Sequence, residues 1–149
     1  MLVDGKHFQS IWRDNSTGEI KIIDQRWLPH DFSIVGLNSL SEVMISIRDM
    51  WVRGAPLIGV TAAYGMAIAM SEDSSDQNLN SASELLNSAR PTAVNLAWAV
   101  KRMRGRLKCT PEAKRAVAAM KLADLMAEED ISINRLIGEP VSYTHLRAH

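Results

Sequence analysis

Apolar positions recur along this chain at two periods. In 8–14 (FQSIWRD) and 19–27 (EIKIIDQRW) apolar residues are interspersed with polar ones on either side of NSTG, whose Asn, Ser and Gly predict the loop of a two-stranded hairpin. Pro29 is expected to end the second strand, and so small a hairpin must pack on the helices downstream of it. From Ser39 the period becomes helical. Ser39 and Glu42 form a capping box, and Leu40, Val43, Met44, Ile47 and Met50 share one face, so a helix is expected to about Trp51.

The RGAP run at 53–56 breaks that helix, and Pro56 suits the first position of the next. Residues 56–70 (PLIGVTAAYGMAIAM) are apolar on every face, which marks a central helix. Gly59, Ala62, Ala63 and Gly65 allow neighbouring backbones to approach closely. SEDSSDQNLN (71–80) reads as an acidic loop. A second capping box, Ser81 with Glu84, is expected to open a short helix through Leu86, broken by ARP at 89–91. Pro91 is then expected to start a helix with Leu96, Ala99, Val100, Met103 and Leu107 inward. Thr110 and Pro111 suit the cap and first position of a long last helix, kinked near Asp130 and ending at Ile137 with Gly138 as C-cap. The fold class is therefore mainly α: a helical bundle with an N-terminal β-hairpin.

Composition supports a packed core: 46% of the 149 residues are hydrophobic and 23% charged. The formal net charge is zero, which argues against general nucleic-acid or membrane-surface binding. The apolar stretch from Ala55 to Met70 is interrupted by Gly59 and Gly65 and is shorter than the roughly 20 residues that span a bilayer. The single cysteine, Cys109, forms no internal disulfide, which fits a reducing cytoplasm. His7 and His30 have no metal-ligand spacing with each other or with Cys109, so no metal is expected. VSYTHLRAH (141–149) continues no preceding pattern. Residues 140–149 are read as a tail derived from a sequencing adapter, and 1–139 as the natural domain.

Two arginines stand beside the prolines of predicted helix starts, Arg53 before Gly54-Ala55-Pro56 and Arg90 before Pro91. A cation at the positive end of a helix is mildly unfavourable. A bound anion resolves the conflict, because free N–H groups and the helix dipole attract phosphate and a guanidinium adds two-point contacts. Gly54 lets a ligand approach the backbone, and Asn95 has a hydroxyl or a neighbouring loop within reach. The alternative is that each arginine pairs with a surface carboxylate or extends into water. Asp24-Gln25-Arg26 reads either as a contact near a substrate mouth or as a local ion pair holding hairpin to helix. Asp49 either orients Arg53 or covers the helix surface. KRMRGRLK (101–108) reads as a solvated helix end, with no interleaved aromatics for base stacking. Trp12, Trp27, Trp51 and Trp98 read as core or domain-contact residues.

IDQRWLP (23–29), IRDMWVRGAPLIGVTAAYGMAIA (47–69) and ARPTAVNLAWAVKRM (89–103) closely resemble the N-terminal region of the methylthioribose-1-phosphate isomerase family. That family shares a superfamily with the alpha, beta and delta subunits of eukaryotic initiation factor 2B. The resemblance implies conversion of 5-methylthioribose 1-phosphate to 5-methylthioribulose 1-phosphate in methionine salvage, an aldose–ketose isomerisation without cofactor or metal, in a cytoplasmic homodimer. It implies substrate binding by Arg53, Gly54, Ala55 and Arg90. The family's catalytic cysteine and aspartate belong to a second, Rossmann-like domain, which is expected to lie outside this chain. Cys109 does not match the catalytic position, so no catalytic residue is expected here and the chain alone is expected to be inactive. An isomerase of another pentose 1-phosphate, such as 5-deoxyribose 1-phosphate, stands as an alternative. So does an initiation-factor-like regulatory subunit without catalysis, and a free-standing helical interaction domain.

Overall fold

The computed structural model describes residues 2–3 and 5–147. Short strands β1 (Leu2–Val3) and β2 (Lys6–His7) pair antiparallel, Leu2 opposite His7. A three-stranded antiparallel sheet comes next in the order β3–β4–β5, with β3 at Ile11–Arg13, β4 at Ile20–Ile23 and β5 at Ile34–Leu37. The hairpin turns where NSTG predicts. The Asp14 carboxylate accepts from the N–H groups of Ser16 and Thr17, and Gly18 takes φ +76°, which favours glycine. Ile11 pairs with Ile22 and Ile20 with Leu37, so one face carries buried aliphatics while Lys21 points away.

Two details of the sheet differ from the expectation. The second strand ends at Ile23, because Asp24 turns the chain through its own side chain well before Pro29. The third strand, β5, is absent from the sequence reading: IVGL is too short and too continuously apolar to show a period.

Helix α1 (Leu40–Arg48) starts as expected, with Ser39 Oγ accepting from Glu42 N–H at 3.2 Å. The Glu42 carboxylate reaches back to Asn38 N–H at 2.6 Å, one residue before the cap. The helix closes at Asp49, earlier than expected. Trp51 N–H donates to Ser46 O at 2.9 Å across Met50 at φ +60°, a left-handed helix end built on a residue other than glycine. Helix α2 (Ala55–Glu72) is the hub, with every residue from Leu57 to Met70 buried. Helices α1, α3 (Asp76–Ala89), α4 (Val94–Lys108) and α5 (Glu112–Arg147) pack around it. The small residues act as their size suggests. A Cβ on Gly65 would sit 2.8 Å from Val43 Cγ1, and one on Gly59 would sit 3.0 Å from Asn95 O.

Four helix boundaries correct the sequence reading. The stretch 71–80 is not a loop: α3 begins at Asp76, capped by Ser75 Oγ rather than Ser81. Its inward residues Leu79, Ala82, Ser83 and Leu86 keep helical spacing, but the polar face hides it. Asn78 also caps the end of α2, donating to Ala69 O and Asp73 O. Pro91 does not begin α4. Arg90 terminates α3, and a turn closed by Ala93 N–H to Arg90 O precedes Val94, since the fixed φ of proline suits a turn as well as a helix start. Thr110 ends α4, donating to Arg106 O, instead of capping α5. Finally, α5 does not stop at Gly138; it continues through Pro140 to Arg147, although proline removes a helical hydrogen bond and crowds the preceding turn.

Among the described residues the buried core takes nothing from α5 beyond Ala127. Deleting residues 141–149, which the sequence marks as a non-native tail, is expected to move the melting temperature by no more than about 2 °C. A fall of several degrees in a thermal melt would show that these residues belong to the folded unit.

Candidate phosphate-binding cleft

The chain after α1 carries Val52 into the core, fully buried, and leaves Arg53, Gly54 and Ala55 on the surface. Gly54 is the N-cap of α2 at φ +100°, a conformation that strains any side chain. Lacking a side chain, Gly54 provides no cap, and no acidic residue stands in the first turn. Helix α4 starts in the same way: Ala93 is its N-cap, again without a side-chain hydrogen bond and without an acid in the first turn. The other helices differ. Ser39 and Glu42 serve α1, Ser75 and Asp76 serve α3, and Glu112 stands in the first turn of α5. The two helix starts that come after Arg53 and Arg90 are thus the two left electrostatically open. They lie side by side, because Gly59 backs onto Asn95 and both residues, with Pro56, line one cavity.

A cleft of about 570 Å³ opens at the start of α2. Its lining includes Gln25, Arg53, Gly54 and Pro56, with Asp130 and Asn134 of α5. A smaller cavity of about 190 Å³ adjoins it across Pro56, Val60 and Asp130, with Trp98, Met126 and Ile133 supplying apolar walls. Burial pushes the Asp130 carboxyl above its ordinary value, opposed by a hydrogen bond with Asn134. Arg90 is half-buried and lines neither cavity; it stands in the turn that leads into α4.

Neither Arg53 nor Arg90 has a carboxylate partner among the described residues. Surface pairing therefore does not account for either. Asp49 is engaged by Arg48 at 2.7 Å and does not orient Arg53. The Asp24-Gln25-Arg26 run forms the local ion pair weighed for it. Asp24, nearly fully buried, accepts from the Arg26 backbone N–H, from Nε and from Nη2 at 2.6 Å. The Arg26 guanidinium also stacks 4.6 Å from the Trp51 ring centre. Gln25, between them, turns into the cleft and bonds the Arg53 backbone.

Hydrogen bonds from Arg26 hold the Asp24 carboxyl below its ordinary value of 3.8. A depressed carboxyl contributes stability above its unfolded value and loses it as pH falls through the folded one. Asp24→Asn is expected to cost about 1.5–3 kcal/mol at neutral pH. In urea unfolding the gap from the parent should close below pH 4; a gap constant with pH would contradict this assignment.

A second cavity, about 620 Å³, lies beside the first and shares His7, Phe8 and Gln9 with it. There Tyr64 donates to Asp124 at 3.0 Å, Arg13 pairs with the same carboxylate at 2.8 Å, and burial pushes the phenol up. The basic run 101–108 is largely a solvated helix end: Arg102 binds Glu129, Arg104 binds Asn80, and Met103 and Leu107 face the core. Cys109 is free and exposed. Trp27 and Trp98 are more than half exposed, so neither is a core residue. Among the described residues no group of histidine, cysteine and acidic side chains is placed to hold a metal ion, and no helix is long and apolar enough to cross a membrane.

The stretch that carries both arginines decides the relationship. Residues 51–146 match the model of the initiation factor 2 subunit family. The chain belongs to that family. Among similar proteins, the methylthioribose-1-phosphate isomerase of Sinorhizobium medicae is 54% identical over 138 residues, which are 93% of this chain and 38% of that protein. The chain thus spans less than two fifths of the length of this curated relative. Two solved structures share the fold. The 5-methylthioribose 1-phosphate isomerase of Pyrococcus horikoshii is 30% identical with a TM-score of 0.74, covering 83% of this chain and 37% of that one. The translation initiation factor eIF-2B subunit delta of A. fulgidus is 32% identical with a TM-score of 0.75, covering 84% and 38%.

Proposed function

We propose that this chain is the N-terminal, substrate-binding part of a methylthioribose-1-phosphate isomerase, and that it holds the phosphate of 5-methylthioribose 1-phosphate at the open starts of α2 and α4. The observation that carries the reading is the pairing of an unpartnered arginine with each uncapped, acid-free helix start. Arg53 and the N–H groups of Gly54 and Ala55 bind phosphoryl oxygens, and Arg90 adds charge from the turn before α4. The apolar cavity beside the cleft fits a phosphate ester that also carries an apolar substituent.

The reaction is an aldose–ketose isomerisation to 5-methylthioribulose 1-phosphate, without cofactor or metal. The phosphate sits on the anomeric oxygen and blocks ordinary ring opening, so cations that hold it both place the sugar and balance charge as the ring opens. The proton-transfer groups lie in the part of the relatives that this chain does not span, and the chain alone turns nothing over. The exposed apolar residues Val94, Trp98, Ile133, Leu136 and Ile137 support packing of that part against the start of α4 and the later half of α5. Within this reading the complete protein is a cytoplasmic homodimer whose natural domain here is 1–139, and it contacts neither nucleic acid nor membrane.

Joining residues 1–139 to the remainder of the Sinorhizobium medicae relative tests the proposal. Conversion of 5-methylthioribose 1-phosphate by the joined protein, in preference to 5-deoxyribose 1-phosphate, is the expected result. A folded but inactive product, or a preference for the deoxy sugar, contradicts it. A second reading, a regulatory subunit without catalysis, draws support from the likeness to the A. fulgidus structure. The much higher identity to the isomerase of S. medicae favours the first.

A further inference from the structure

Gln25 fastens the turn after β4 to the segment that enters α2. Its backbone N–H donates to Trp51 O at 2.8 Å, and its side-chain Oε1 accepts from the Arg53 N–H at 3.0 Å. No other side chain among the described residues bonds the backbone of Arg53, Gly54 or Ala55. Gln25 is itself held from both sides. Asp24 before it is buried, its N–H donating to Ser33 O, and Arg26 after it is locked to Asp24 and stacked on Trp51.

The segment needs such an anchor. Gly54, at φ +100° with open space around it, has the widest backbone freedom of any residue type, and nothing packs on it. Unfastened, Arg53 and Gly54 would sample many directions, and ordering them on binding would cost affinity. The chemistry of the anchor also matters. An amide oxygen takes the Arg53 N–H without adding a second negative charge to a cleft that Asp130 already lines. The amide nitrogen of Gln25 has no partner among the described residues, while the residue lines the cleft.

We infer that Gln25 is a positioning residue: it fixes the backbone of Arg53 so that the guanidinium and the N–H groups of Gly54 and Ala55 address the phosphate ester. The role rests on reading the cleft as the phosphate site. Gln25 does not react; it sets the geometry of the residue that binds.

Two variants of the 149-residue chain separate anchoring from charge. Gln25→Ala removes the acceptor. Gln25→Glu keeps an acceptor oxygen in place but adds a negative charge. Amide hydrogen exchange at Arg53 reads the anchor, and calorimetric titration with 5-methylthioribose 1-phosphate reads the site. In Gln25→Ala the Arg53 amide is expected to exchange roughly tenfold faster and the affinity to fall about five- to tenfold. In Gln25→Glu the amide is expected to stay protected while affinity still falls. A merely structural glutamine would lose or keep both properties together. Unchanged exchange at Arg53 in Gln25→Ala overturns the anchor. Parent-like affinity in both variants, where Arg53→Ala does weaken binding, overturns the positioning role. If Arg53→Ala leaves affinity unchanged as well, the phosphate reading of the cleft falls, and the exchange data still decide the anchor on their own.

Discussion

Arg53→Ala is expected to weaken binding of 5-methylthioribose 1-phosphate to the chain by roughly 10- to 150-fold, the equivalent of about 1.5–3 kcal/mol for a hydrogen bond to a charged group. The surroundings of the side chain set that size. Arg53 is exposed and has no carboxylate partner among the described residues, so its removal breaks no internal bond and leaves no buried group stranded. Its backbone N–H, held by Gln25, survives the substitution. The thermal midpoint should therefore stay put while affinity falls, and that separation distinguishes a ligand-binding arginine from a structural one. Arg106→Ala, on the solvated end of α4, removes the same charge away from the cleft and should leave affinity unchanged. Equal affinity in Arg53→Ala and the parent would remove the residue from the site.

The opposite outcome is expected at Arg115, whose replacement by alanine should cost about 1.5–3 kcal/mol of stability, since it removes a buried guanidinium that donates to three backbone carbonyls and to the exposed Asp76. The side chain is only 5% exposed. Nε donates to Leu107 O at 3.0 Å and Thr110 O at 3.1 Å, Nη1 to Ser74 O at 2.8 Å, and Nη2 pairs with Asp76 at 2.7 Å. One guanidinium thus ties the end of α4, the turn into α5 and the cap of α3 together. Alanine would take the guanidinium donors from Ser74 O and Thr110 O, while Leu107 O keeps the Thr110 N–H. Lysine keeps the charge but lacks the planar fork, so it should recover only part of the loss. Urea unfolding measures the difference, and a cost below about 1 kcal/mol would show that water replaces the network.

The contrast between these arginines shows what could be read without coordinates. Arg115 continues the line of Ala119, Ala123 and Met126 along α5, all buried. A charge on an apolar stripe is visible in the sequence, but its partners come from α3 and α4 and no period along α5 announces them. The apolar all-round run of α2 was legible because burial on every side demands it. Of helix α3 only the part from Ser81 onward was, because residues 76–80 before it are polar enough to pass for a loop. Proline misled twice for one reason: its fixed φ serves both a turn and a first helical turn. That ambiguity put Arg90 directly at a helix start, whereas the structure sets it at the end of α3 with a turn before Val94. The openness of the α2 start was legible from Gly54 and from the absence of an acid after it. Gln25 was legible only as a neighbour of two charges. Its bond to Arg53 spans 28 residues, and only the folded sheet and helices bring the two together.

In the function we propose, the uncapped starts of α2 and α4, each with its arginine, receive a phosphate ester. Titrating isotope-labelled chain with 5-methylthioribose 1-phosphate, and tracking every backbone amide and arginine Nε resonance, tests it most directly. The largest changes are expected at the amides of Gly54, Ala55 and Leu57, at the Arg53 Nε and around Arg90. Changes confined to the cavity of Tyr64 and Asp124, or to the basic run at 101–108, would contradict it.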